Sequence, residues 1–222
     1  MKMSISALDN FEQSLYFLNS STHGKITQII PLHLRIAKTM EWLNQPANWS
    51  HSEQHIIITT APKTDFWRIT HYGFIRDSGH FYFDRVSTDF VVDVKIKGKY
   101  KDLYDQAGIM IRADEKHWIK TGIEYVDGVQ NVSAVVTHNY SDWSFTPLLN
   151  PPDIFQLRVE RCQEAIHIAY LDEYDRYVPL RMAYFPVQQD IQVGIMCASP
   201  QGNGYEVIFE DYQLTKKGEK SS

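Results

Sequence analysis

The sequence predicts an all-β fold, a two-sheet antiparallel sandwich of jelly-roll type, and three observations predict it. After residue 40, about a dozen short runs alternate apolar and polar residues with a period of two. "DFVVDVKIKG" (89–98) is the plainest: Phe90, Val92, Val94 and Ile96 face one way, Val91, Asp93, Lys95 and Lys97 the other. Turn signals separate these runs at roughly 8–12-residue spacing, among them "RDSG", "VDGVQ", "NPPD" and "PQGNG". Finally, no segment past residue 40 sustains the 3.6-residue period of a helix.

The chain divides into an N-terminal extension (1–39), the sandwich domain (40–214) and a disordered polar tail (215–222). The extension carries Lys2, Lys25, Arg35 and Lys38 against Asp9 and Glu12, net +2, which leaves −7 of the total −5 for the rest. "ALDNFEQSLYFL" has the pattern of one or two helical turns, and Pro31 limits "ITQIIPLHLRI" to an edge strand. From Glu41 onward follow "HIIITTAP", "DFWRITHYG", "GHFYFDR" and "DFVVDVKIKG", then "AGIMIRAD", "HWIKTGIEYV", "NVSAVVTHN" and "DWSFTPL". The last five are "IFQLRVERC", "AIHIAYLD", "VPLRMAYF", "IQVGIMCAS" and "YEVIFEDYQLT". The acidic "DEYDR" (172–176) reads as a solvated hairpin turn and not as a calcium loop.

Composition bounds the function. With 222 residues, 43% of them hydrophobic, the chain can bury one sizeable core. A net charge of −5 argues against a nucleic-acid backbone binder, which needs a basic footprint. Cys162 and Cys197 are too few for a disulfide framework or a thiolate metal site, and both read as buried free thiols. No run reaches the ~18 apolar residues of a membrane span, and Asp9 and Glu12 interrupt the first apolar stretch. The expectation is a cytoplasmic protein with neither membrane nor nucleic-acid partners. The nine histidines lack metal-ligand spacing, and no nucleotide-binding or nucleophile-elbow motif occurs, so no metal and no cofactor is expected.

The chemistry concentrates in "YDQAGIMIRADEKHWIKTGIEYVDG" (104–128), two strands joined by a short acidic turn. Ile109, Ile111, Ile119 and Ile123 fall on one face, Met110, Arg112, Trp118, Lys120 and Glu124 on the other. If the strands pair through "ADEKH", Arg112 and Lys120 come close enough to share Glu124 and hold its pKa down. Tyr104, Asp105 and Gln106 stand at the strand entry, Ser133 and Thr137 extend the polar row, and Trp67 and Trp143 are candidate rim aromatics. A cross-strand ion-pair ladder on a solvated face would explain the charges alone. Their company of Trp, Tyr, Gln and Asp favours a groove for a polyhydroxylated ligand.

This stretch, with "TDFWRITHYGF" before it and "SAVVTHNYSDWS" after it, resembles the "regulation of enolase" family, a domain of unknown function. The matching blocks are Thr64–Phe74, Tyr104–Arg112, Trp118–Glu124 and Ser133–Ser144, and the resemblance covers roughly residues 41–214. It implies a concanavalin-A-like lectin/glucanase sandwich with one convex and one concave sheet, and it implies little about activity.

The leading expectation is non-catalytic recognition of a sugar or sugar-derived small molecule on the concave face. Arg112, Lys120 and Glu124 form its polar centre, Asp105 and Gln106 read hydroxyls, and Trp118 and Tyr104 are walls. Arg and Lys together suit a phosphorylated or carboxylated sugar. One alternative is a regulatory protein-interaction module, which the family's name suggests. The other is a glycoside-active enzyme. Such an enzyme needs two carboxyls across one bond, and Glu124 with Asp105 is the pair that can be constructed.

Overall fold

In the computed structural model, which describes residues 40–186 and 190–218, the strands after Met40 form two seven-stranded antiparallel sheets and one two-stranded hairpin. The first sheet runs β1 (Glu41–Leu43), β6 (His80–Val86), β15 (Ile191–Ala198), β8 (Gln106–Arg112), β9 (His117–Val126), β10 (Val129–His138) and β11 (Tyr140–Pro147). The second runs β14 (Tyr177–Tyr184), β13 (Ala165–Leu171), β12 (Phe155–Cys162), β7 (Phe90–Gly98), β16 (Glu206–Lys216), β3 (His55–Thr59) and β2 (Asn48–His51). The hairpin is β4 (Phe66–Arg68) with β5 (Ile75–Asp77). The predicted extension lies outside the described residues. The predicted tail begins too early, because Thr215 and Lys216 still pair with Val91 and Phe90.

Period-two patterning places the main core between the two sheets. Phe90, Val92, Val94 and Ile96 of β7 meet Ile109, Ile111, Ile119 and Ile123 of β8 and β9 there, all buried. Val132, Ala134 and Val136 of β10 continue the same face. Pro179, which cannot donate to a ladder, sits in β14, an edge strand. Of the two cysteines expected to be buried, Cys197 is, on the core face of β15. Cys162 is exposed, because it ends β12 where the chain turns back to Ala165.

The opposite face of the first sheet is not left to water. Phe81, Phe83, Met110, Trp118, Val135 and Met196 project from it and form a second apolar cluster with Phe66 and Trp67 of the hairpin. Full burial of such side chains is worth about 1.5–3 kcal/mol each, so β4–β5 acts as a lid over this cluster.

His80 ties three segments together where β6 begins. Its Nε2 accepts the Ala61 N–H at 2.9 Å, so the proton resides on Nδ1, which donates to the Asn44 carbonyl. Burial lowers its pKa below 6.5, against the opposing pull of the Asn44 bond. A folded-state pKa below the unfolded one means the unfolded chain takes up the proton first. The stabilising contribution is therefore complete above about 6.5 and is lost as pH falls from there toward the folded-state value. We expect the melting temperature to drop between pH 7 and pH 5. His80→Gln, which keeps a donor and an acceptor but does not titrate, should flatten that slope even if it melts lower throughout. An unchanged slope would place the pH sensitivity elsewhere.

Candidate functional site

The register through the Ala113–Lys116 turn decides what meets on the hairpin side of the first sheet. It pairs Arg112 with Trp118, Met110 with Lys120, and Gln106 with Glu124. Arg112 and Lys120 therefore do not share Glu124. Arg112 instead makes a two-pronged ion pair with Asp77 of β5, Nη1 to Oδ1 at 2.7 Å and Nη2 to Oδ2 at 2.8 Å. Lys120 donates to Gln106 Oε1 at 2.6 Å and to the Phe66 carbonyl at 2.8 Å, with Asp65 at 3.6 Å. Both cations are buried and both clasp the hairpin to the sheet. Arg68 completes the clasp. Its backbone N–H donates to Ser141 Oγ at 2.9 Å, and Ser141 in turn bonds Thr137.

Beyond the end of this lid lies a cavity of about 90 Å³. Trp67, Tyr72, Phe74, Tyr104 and Trp143 supply its aromatic walls, and Gln106, Lys120, Glu124 and Asp65 its polar floor. The walls stand nearly at right angles. Trp67 and Trp143 have centroids 6.4 Å apart at 89°, and Tyr104 and Trp143 are 6.1 Å apart at 80°. Gly122 stands between Lys120 and Glu124, opposite Gly108. Strand packing here is so close that a Cβ on Gly122 would sit 2.1 Å from the Ala107 carbonyl oxygen.

Backbone strain collects around the same cavity. In the loop joining β4 to β5, Ile69 and His71 have φ of 61° and 64°, and Tyr104 has 68°. A β-branched residue in this region is an outlier that its surroundings must enforce. Here the Ile69 N–H bonds the Phe74 carbonyl, Gly73 N–H bonds Ile69, and the Trp67 indole N–H bonds the Thr70 carbonyl. The Tyr72 and Tyr104 hydroxyls lie 3.4 Å apart, and that bond, with burial, pushes Tyr104 up to about 12.

Glu124 is the carboxylate at the centre. Its Oε2 accepts from Ser133 Oγ at 2.7 Å and from the Trp143 indole N–H at 2.8 Å. Burial raises its pKa above 4.5, opposed by Lys120, by Ser133 and by Trp143. The sequence argument for a depressed value fails because the expected ion pair with Arg112 does not form, while desolvation of a carboxylate 6% exposed outweighs the field of Lys120.

Of the predicted site residues, Trp67, Tyr104, Gln106, Lys120, Glu124 and Trp143 line the cavity, and Ser133 supports it from beneath. Trp118 is no wall: it is 1% exposed, under the lid against Phe66. Thr137 is likewise buried as an anchor for β4. Asp105 does not line the cavity and reads no ligand hydroxyls there. It is fully buried, and its carboxylate accepts from Lys101 N–H, Asp102 N–H and Ser199 Oγ, so the Glu124–Asp105 pair does not form across the cavity. Sequence reasoning missed Asp65, Tyr72 and Phe74. The signal was present, since all three fall in the Thr64–Phe74 block that carries the family resemblance.

Comparison with known proteins matches residues 42–217 to the family described as "Protein of unknown function (DUF1349)". The chain belongs to this family. The chain is 39% identical over 174 residues to "Regulation of enolase protein 1" of Saccharomyces cerevisiae, covering 78% of this chain and 88% of that protein. A crystal structure of a functionally unknown protein from Saccharomyces cerevisiae superposes with a TM-score of 0.77 at 38% identity, covering 80% of this chain and 96% of that one. A GH43 protein from Bacillus licheniformis shares the fold at a TM-score of 0.62 and 12% identity, over 80% of this chain and 37% of its own. The same fold thus recurs within a longer chain of dissimilar sequence.

Two measurements test this account of the site. Asp77→Asn leaves the buried Arg112 guanidinium without its counter-charge. Because Asp77 is one-third exposed, the loss should fall below the range for fully buried pairs, at about 2 kcal/mol, read from denaturant unfolding. Protease cleavage within residues 69–74 should accelerate with it. Glu124→Gln should act in the opposite direction. A carboxyl whose folded pKa is raised loses stability as pH climbs from about 4.5 through that value. The variant should therefore melt higher than wild type at pH 7, the gap closing toward pH 4.5. A lower melting temperature at pH 7 would mean that the Ser133 and Trp143 bonds outweigh the cost of burying the charge.

Proposed function

We propose that this chain is a non-catalytic binding protein that takes a sugar or sugar-like ring into the cavity between Trp67, Tyr104 and Trp143. The observation that carries this reading is the pairing of perpendicular aromatic walls with a floor of Gln106, Lys120 and Glu124. Aromatic faces cover the apolar C–H face of a polyhydroxylated ring, and the amide, ammonium and carboxylate exchange hydrogen bonds with its hydroxyls. A cavity of about 90 Å³ is small beside the ~300 Å³ and more typical of ligand pockets. It accommodates the edge or terminus of a ring and not an extended chain. Catalysis has less support, because the carboxyl nearest the centre after Glu124 is Asp65, which is engaged by Phe66 N–H, Gln106 and Lys120. The free cysteines suit a reducing compartment such as the cytoplasm.

A second reading, a regulatory protein-interaction module, draws on the name of the yeast relative. It also draws on the exposed Tyr140 and Phe145 of β11 and the exposed Met182 and Tyr184 of β14. Exposed aromatic and Met side chains are enriched at protein interfaces.

The two readings part in a thermal-shift screen of monosaccharides. A ligand that binds the folded chain raises its stability by RT ln(1 + [L]/Kd), about 2.7 kcal/mol at a hundredfold excess over Kd. We expect at least one sugar to raise the melting temperature, and Trp143→Ala to abolish the rise. No shift across the library would favour the interaction module.

A further inference from the structure

Of the three buried charges that project from the hairpin side of the first sheet, two are fully matched. Arg112 is held by both oxygens of Asp77, and Lys120 spends its ammonium on Gln106, the Phe66 carbonyl and Asp65. Glu124 differs. Among the described residues no cation stands within 4 Å of it. Both of its donors, Ser133 and Trp143, bond the same oxygen, Oε2, so Oε1 is left without a hydrogen bond. This carboxylate is 6% exposed and lines the cavity. Oε1 is not among the fully buried atoms that lack a partner, so it opens onto the cavity, where a hydroxyl recovers part of the cost of desolvating the carboxylate and a cation recovers it more fully.

The walls add a second, independent preference. Around the floor Trp143 stands at 89° to Trp67 and at 80° to Tyr104, with Tyr72 set at 70° to Trp67. A cation set among several ring faces is attracted by each quadrupole. An anion gains nothing from those faces and would meet the negative charges of Asp65 and Glu124, while Lys120 on the same floor is already engaged by Gln106, the Phe66 carbonyl and Asp65.

We infer that the cavity selects a sugar-like ring bearing a protonated amine, with Glu124 as its counter-ion, over the neutral or phosphorylated ring. This rests on the sugar-binding reading above and reverses the expectation, drawn from Arg112 and Lys120, of an anionic ligand. Binding the amine holds Glu124 ionised against the burial that favours its protonated form, so binding releases a proton below the raised pKa and weakens as pH falls.

The test is calorimetry on the full chain at pH 6.5 with glucose, glucosamine, N-acetylglucosamine and glucose 6-phosphate. The expected result is glucosamine at least tenfold tighter than glucose, N-acetylglucosamine no tighter than glucose, and glucose 6-phosphate weakest. Glu124→Gln, its fold verified by thermal unfolding, should bring glucosamine and glucose level. In case that variant misfolds, wild type alone suffices. The glucosamine preference should shrink from pH 6.5 to pH 4.5, with proton release seen as a dependence of the binding heat on buffer ionisation enthalpy. Glucose binding with no gain from the amine, or a preference that survives Glu124→Gln, overturns the inference and leaves the sugar reading standing. Failure of every sugar to bind overturns both.

Discussion

A sheet whose two faces are both apolar must be covered twice, and this requirement organises the molecule. The inner face of the first sheet is met by the second sheet. The outer face, with Met110, Trp118, Phe81, Phe83 and Met196, is met by a hairpin of two three-residue strands. So short a hairpin cannot stand alone in water. It is held by charge as well as by burial: Arg112 grips Asp77, Lys120 grips the Phe66 carbonyl beside Asp65, and Ser141 receives the Arg68 N–H. Each clasp satisfies a group that would otherwise be buried unpaired. The cavity lies where the lid meets the sheet, with Asp65 and Trp67 of the hairpin segment among its lining residues. The lid's connecting loop, with strained Ile69 and His71, delivers Tyr72 and Phe74 to the open part of the sheet where Glu124 lies.

The strands were legible because their period is a steric property of the extended chain. Alternation placed Ile109, Ile111, Ile119 and Ile123 in the core and their neighbours on the other face, as the structure has them. The separation of Arg112 from Glu124 was also legible in principle. A short turn after Ala113 forces Arg112 opposite Trp118 and Glu124 opposite Gln106, six residues and about 20 Å up the strand. Other features were not legible. Trp118 looks like a groove wall until the segment some fifty residues earlier is known to lie over it, and nothing local in either segment encodes that packing. Asp105 belongs to a turn and not to a ladder, so alternation says nothing about its direction. Its three donors, two of them backbone N–H groups, appear only when the loop is closed.

Charged pairs on this sandwich differ in what they tell. Lys95–Asp211 and Arg176–Asp172 are exposed, and pairs of that kind contribute little. Arg112–Asp77 and Lys120–Asp65 are largely buried, so their geometry carries information: each one locates a contact between the lid and the sheet. Burial of an ion is tolerated where its partner is fixed, and here both partners come from the hairpin.

Glu124 breaks that pattern under the same constraint. It is as buried as Arg112 and Lys120, yet it holds one oxygen in two hydrogen bonds and the other in none. A glutamine there would keep the acceptor for Ser133 and Trp143 and remove the cost of desolvating a charge, so packing alone gives no reason for a carboxylate. The strained backbone at Ile69 and Tyr104 lies in the segments that bring Tyr72, Phe74 and Tyr104 to the same cavity. Local costs that meet at one cavity support the proposed binding role of that cavity. The rule that explains why the lid stays down, that a buried charge requires a partner, also sets Glu124 apart: among the described residues no cation pairs with it as Asp77 pairs with Arg112 and Asp65 with Lys120.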